Sequence, residues 1–268
     1  MMRFKCLLIT MVALLTFAYV GLVMAWDVAI STQAGWWSQA AADKEMASLA
    51  DKIKGVAGSV TLFPADKQAD LATWVKNHTN DGENDILLLC GQFPKTIYAP
   101  GNTQKDDSLA ELFLDAGNTI LNTGDYMFYV VDGAGTNATA GLETMMDIPG
   151  ISMWDDNTPV KVTADGKNYT PSLKDYQCDR PWHLDQIVDP WKPLLILAQN
   201  DAKTRAEPAL MINTKTKGML GTFYQTAGED DNPRAIVISE FINSYFRTTV
   251  VQPTSEKAAT TWGAMKIR

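Results

Sequence analysis

Asp125 and His183 are the two side chains whose type and setting best suit proton exchange. Asp125 lies in the turn Asn122-Thr123-Gly124-Asp125-Tyr126, directly after an apolar run. His183 lies in a polar stretch that also holds Cys178, Arg180, Trp182 and Asp185. A carboxylate and an imidazole within hydrogen-bond reach form a general acid–base pair. These two are therefore the candidates for a hydrolase acting on carbohydrate or a related small molecule. Each also has a plainer reading: Asp125 as a helix cap, His183 as a hydrogen-bond donor to a loop carbonyl.

Other reactive chemistries find less material. Beyond residue 25 the cysteines are Cys90 and Cys178 and the histidines are His78 and His183. That set cannot build a cysteine-rich zinc site. Asp155-Asp156 alone is a poor calcium site. Gly133 to Gly135 does not follow a strand and open a helix, so it lacks the placement of a phosphate loop. No metal or other cofactor is called for. Cys90 ends the run Leu87-Leu88-Leu89, where a thiol simply packs; pairing with Cys178 in an oxidising compartment stays open.

Elements that position these residues follow from periodicity. Residues 26–31, 59–63, 85–90 and 118–122 read as strands. Residues 38–54, 65–76 and 109–116 between them carry apolar side chains at helical spacing. Strands alternating with helices imply βαβ units and a parallel sheet. The run DILLLC lacks polar alternation, as expected of a strand covered on both faces. Asp107 or Ser108 can cap the third helix, and Gly117 can end it. Residues 132–192 are less regular. Within them, 151–154 reads as a strand, and 160–162 with 168–170 as a hairpin around Asp165-Gly166. The chain then resumes with a buried strand at 194–199, a hairpin of 209–213 with 219–225, and a helix from Asn232-Pro233 to about Arg247.

This order resembles the class I glutamine amidotransferase-like fold, and within it the ThuA-like branch. The passages that carry the resemblance are DILLLCGQFP, LAELFLDAGNTILNTGDY and PALMINTKTKGMLGTFYQ. It implies an α/β, parallel-sheet-centred, flavodoxin- or amidotransferase-like sandwich with an irregular insert and a late β-hairpin. Catalytic members carry a cysteine in a glycine-flanked elbow, with a late histidine and glutamate. Here the matching turn carries Gly124-Asp125 instead, and no histidine follows the late strands. The resemblance thus implies an elbow without its nucleophile.

In an open parallel sheet, ligands bind at the carboxyl ends of the strands. That rule selects Thr32 and Trp36 after the first strand, Gln92 and Phe93 after the third, and Gly124, Asp125 and Tyr126 after the fourth. Arg180, Trp182 and His183 of the insert can fold over the same edge. Eight tryptophans invite a carbohydrate reading, because aromatic faces stack on sugar rings; Trp36 and Trp182 sit in expected loops.

The remaining constraints are global. Thirty-one acidic and 23 basic residues give a net charge of −8, which excludes a polybasic nucleic-acid binder. Residues 1–25 have the form of a secretory leader: Arg3 and Lys5, an apolar run to Val23, and a small residue at Ala25. Cleavage near Ala25 gives a secreted or periplasmic protein with no membrane span; retention gives an anchor. The expected organisation is a leader (1–25), one domain (26–250, insert about 132–192) and a polar tail (251–268). The reading favoured is an exported, non-catalytic domain that binds a small molecule or glycan, with its protein partner undefined. A hydrolase using Asp125 and His183 and a component of an envelope assembly are the alternatives.

Overall fold

A computed structural model describes residues 26–226, 228 and 230–250. The expected leader and the tail lie outside the described residues. Four parallel strands open the chain: β1 (Val28–Ser31), β2 (Val60–Phe63), β3 (Ile86–Leu89) and β4 (Thr119–Thr123). Helices Gln39–Ile53, Gln68–Asn77 and Leu109–Asp115 connect them. The first is capped by Ser38, whose side chain accepts from the Ala41 N–H, and the third by Ser108, which accepts from Glu111.

The strands run in the order β2-β1-β3-β4 and continue through three strands from the end of the chain. These are β12 (Met219–Phe223), parallel to β4, then β11 (Ala209–Asn213), antiparallel to β12, then β8 (Trp191–Ile196) at the far edge. The late hairpin is therefore β11 and β12, stitched into the parallel sheet. Side chains alternate as the pleat requires. Val28, Ile30, Ile86 and Leu88 face a core closed by helices Gln39–Ile53 and Arg234–Phe241. Ala29, Leu87 and Leu89 face a second core with helices Gln68–Asn77 and Leu109–Asp115. Burial of DILLLC on both faces is thus direct.

The insert differs from its expected form. Together with residues 198–206, beyond its expected end, it builds a second sheet from β5 (Thr158–Val162), β6 (Tyr176–Cys178), β7 (Trp182–His183), β9 (Ala198–Gln199) and β10 (Arg205–Ala206), in the order β6-β5-β9-β10-β7. Asp165-Gly166 does not turn a hairpin. Thr163 caps a short helix, Ala164–Tyr169, by accepting from the Gly166 N–H, and β5 pairs with β6 and β9 instead. Residues 151–154 form no strand. The expected buried strand at 194–199 is divided between β8 and β9, because β8 is an edge strand with Lys192, Pro193 and Leu194 exposed. Helix Arg234–Phe241 begins one residue after Pro233 and passes into a π-helical stretch, Ile242–Val250. Among the described residues, no helix is long and apolar enough to cross a membrane.

Candidate functional site

The carboxyl ends of β1, β3, β4 and β12 share one edge, and the chain reverses its lateral direction between β1 and β3. That switch point is where an open α/β sheet ordinarily leaves a crevice. Here the crevice is sealed. The Gly35 N–H donates to the Cys90 carbonyl at 2.8 Å, and Ala34 bridges to Gly91. A Cβ on Gly35 would stand 3.0 Å from the Gly91 backbone. Gln92 completes the seal: its Nε2 donates to the Ala34 carbonyl at 2.7 Å, and its Oε1 accepts from the Gly133 N–H at 2.9 Å. Phe93 packs between Tyr98 and Phe128, with ring centroids 4.6 Å from each. Thr32 is buried, and its Oγ1 has no hydrogen-bond partner.

Chemical groups gather instead over β4. Gly124 has φ of +99°, a backbone suited to glycine. Its missing side chain makes room for the Trp37 indole, whose Nε1 donates to the Cys90 carbonyl at 2.9 Å. The next residue, Asp125, is buried, and its Oδ1 accepts from the Tyr126 N–H at 2.6 Å. Arg180 Nε lies 3.6 Å from the same oxygen. Burial pushes the Asp125 carboxyl up to about 6, with the Tyr126 amide and Arg180 opposing the rise.

Arg180 is anchored from the insert. Its Nη1 donates to the Asp156 carboxylate and to the Asp179 carbonyl. Its guanidinium lies over the Trp154 ring, 4.1 Å from the centroid. Trp154 packs against Tyr126 at 5.2 Å and Tyr129 at 5.3 Å, yet remains 43% exposed. The Tyr126 hydroxyl accepts from the Met153 N–H at 2.9 Å, which fixes that segment. Arg180 Nε is a buried donor with no hydrogen bond.

Trp36 is 50% exposed in the loop after β1, whereas Trp182 is fully buried in the core. Trp182 therefore offers no face to solvent, contrary to its expected loop placement. His183 is buried too, and neither ring nitrogen has a hydrogen-bond partner. Its nearest carboxylate is Asp155, 4.0 Å from Nε2. Arg205 joins Asp155 at 2.6 Å and Asp185 at 2.7 Å. Burial, then Arg205, lowers the His183 pKa below its usual range, so the ring is neutral near pH 7. No hydrogen bond or ion pair joins Asp125 to His183; Trp154 and Asp156 hold Arg180, the ion-pair partner of Asp125, whereas Asp155 faces His183.

Two buried charged residues at this edge were not singled out in the sequence. Arg234 lies over the Trp37 ring at 4.2 Å, and its Nε donates to Thr123 Oγ1 at 3.0 Å. Its Nη2 reaches the Tyr224 and Thr226 carbonyls, each at 3.4 Å, tying the ends of β4 and β12 together. Glu207, just before β11, is fully buried. An arginine on an otherwise apolar helix start and a lone glutamate before Pro208 were the available signals.

Cys90 and Cys178 are free and buried, and burial raises both thiols far above the ordinary range. The thiolate, the nucleophilic form, is disfavoured at both. A cavity of about 310 Å³ opens elsewhere, lined by Lys95, Tyr98, Gln104, Asp107 and Leu112 among others, and brings none of the expected site residues together.

No family model matches this sequence, and no curated protein does. Among solved structures, one of a Bacteroides uniformis protein described as ThuA-like is similar over 89% of this chain and 96% of that one. The identity is 11% and the TM-score 0.45.

Proposed function

We propose that this chain is an exported, non-catalytic domain that binds a carbohydrate over the carboxyl end of β4. The observation that carries the reading is the half-exposed Trp154 ring beside Arg180, whose buried Nε–H has no hydrogen bond, and Asp125. A sugar presents apolar C–H faces and hydroxyls together. An aromatic ring takes the first, and a guanidinium with a carboxylate takes the second. The leader supports export, since its form is that of a secretory signal.

The acid–base alternative receives no such support, because Asp125 and His183 belong to separate ion-pair groups. The test is a titration of tryptophan fluorescence with a panel of mono- and oligosaccharides. A saturable change is expected, weakened at least tenfold in Trp154→Ala and Arg180→Ala. The reading fails if no sugar in the panel changes the emission, or if both variants bind as the native chain does. Turnover of a bound glycoside by the native chain, lost in Asp125→Asn, would establish the hydrolase instead.

A further inference from the structure

The antiparallel pairing of β5 with β6 decides which charges meet beside Trp154. Its register sets Thr158 opposite Cys178, so Asp155 and Asp156, just before β5, come alongside Asp179 and Arg180, just after β6. The Asp155 N–H donates to the Asp179 carbonyl at 3.4 Å, and the Asn157 N–H to Asp179 Oδ1 at 3.1 Å. Across the second sheet, β10 pairs with β7 and sets Arg205 opposite His183; the Arg205 guanidinium bonds Asp155 and Asp185. Five carboxylates therefore gather around two guanidiniums: Asp125, Asp156 and Asp179 near Arg180, and Asp155 and Asp185 at Arg205. Neutral His183 adds no positive charge. Among the described residues, no lysine forms an ion pair with any of the five.

We propose that the sugar recognised over β4 is an amino sugar with a free ammonium group, its ring on Trp154 and its ammonium at Asp125. This rests on the carbohydrate reading of the same site and narrows it. Two observations besides the charge count point to a cationic donor. Asp125 is buried, its Oδ1 faces the Tyr126 N–H and Arg180, and among the described residues its Oδ2 takes no hydrogen bond. Tyr126 and Tyr129 close round the half-exposed Trp154 ring at 5.2 and 5.3 Å, so aromatic faces, which attract cations, adjoin that carboxylate.

Arg180 does not exhaust this demand for positive charge. Burial holds the Asp125 carboxyl at about 6 against the Tyr126 amide and Arg180, and the Asp179 and Asp156 charges add to the rise. A further cation relieves that penalty, whereas the carboxylate or sulfate of an acidic sugar adds to it. A hydrogen bond from an ammonium to a carboxylate is also stronger than one from a neutral hydroxyl, which favours an amine over a neutral sugar.

The experiment is calorimetric titration of the full chain with a glucosamine oligomer and with its N-acetylated counterpart, which share one skeleton and differ in charge. The amine form is expected to bind at least tenfold more tightly. That ratio should fall to threefold or less in Asp125→Asn, which keeps the Oδ1 acceptor for the Tyr126 N–H. Asp156→Asn, at an exposed carboxylate, should lower the ratio too, and it remains informative should Asp125→Asn fail to fold. Equal affinities, tighter binding of the acetylated form, or a ratio unchanged in the variants that fold would overturn the amino-sugar assignment and leave the carbohydrate site standing. Binding of neither oligomer overturns it as well; a neutral sugar that then binds keeps the carbohydrate site, and no binding of any sugar removes the site itself.

Discussion

Glu207→Gln isolates the energetic consequence of a fully buried carboxyl. Burial pushes Glu207 up to about 8 from an ordinary 4.5, and the Gln225 amide and Arg234 guanidinium oppose the rise only partly. The folded state therefore holds a proton that the unfolded state releases between those pH values. Stability contributed by this group falls as pH rises from about 4.5 to about 8, and is level above. The loss amounts to about 1 kcal/mol at pH 5 and approaches about 5 kcal/mol at pH 9, at about 1.4 kcal/mol per tenfold change. Glutamine has nearly the same shape and does not titrate. Urea midpoints of the native chain and Glu207→Gln at pH 5, 7 and 9 read the difference directly. The variant should gain on the native chain by about 4 kcal/mol between pH 5 and 9, an upper bound because water entry would soften the penalty. Asp125 and the other raised carboxyls contribute a slope of the same sign to both proteins, so they cancel in the comparison. A stability difference that stays constant with pH would refute the reasoning.

Gly124→Ala places a Cβ 2.3 Å from Trp37 Nε1 on a backbone with φ of +99°. It should lower stability by about 2–4 kcal/mol through backbone strain and displacement of the indole, seen as a shifted urea midpoint with altered tryptophan emission; an unchanged midpoint contradicts it. Cys90 and Cys178 should resist alkylation in the native protein and both react in denaturant, because burial raises each thiol. Peptide mass spectrometry decides this, and recovery of a Cys90–Cys178 crosslinked peptide is the contrary outcome.

Much of the frame was legible because it repeats local rules. The first four strands, the helices between them, the Ser108 cap and the late hairpin each follow from periodicity, caps or turn residues within a short window. The second sheet was not, because its strands are two to five residues long and pair across large sequence separations. A two-residue strand such as Trp182–His183 carries no period to detect. The same limit hid the Arg205 contacts to Asp155 and Asp185, which join residues 50 and 20 positions apart.

Sealing the switch point changes what the sheet edge can do. With Gly35 against Gly91 and Gln92 bonded to Ala34 and Gly133, a ligand cannot settle between β1 and β3 as the topology alone would suggest. The groups still available lie over β4, and half of them come from the insert: Asp125 and Tyr126 from the sheet, Trp154 and Arg180 from the segments flanking β5 and β6. The proposed sugar site would need the second sheet to hold Trp154 and Arg180 in register with Asp125. Gln225 supplies that coupling. Its Nε2 donates to the Arg180 carbonyl at 2.7 Å while its Oε1 accepts from Asn122 Nδ2 at 2.9 Å, so the ends of β4 and β12 and the insert share one side chain. The proposed site is therefore a property of the joint between the two sheets, and half of its side chains come from the part of the chain whose local sequence pattern says least.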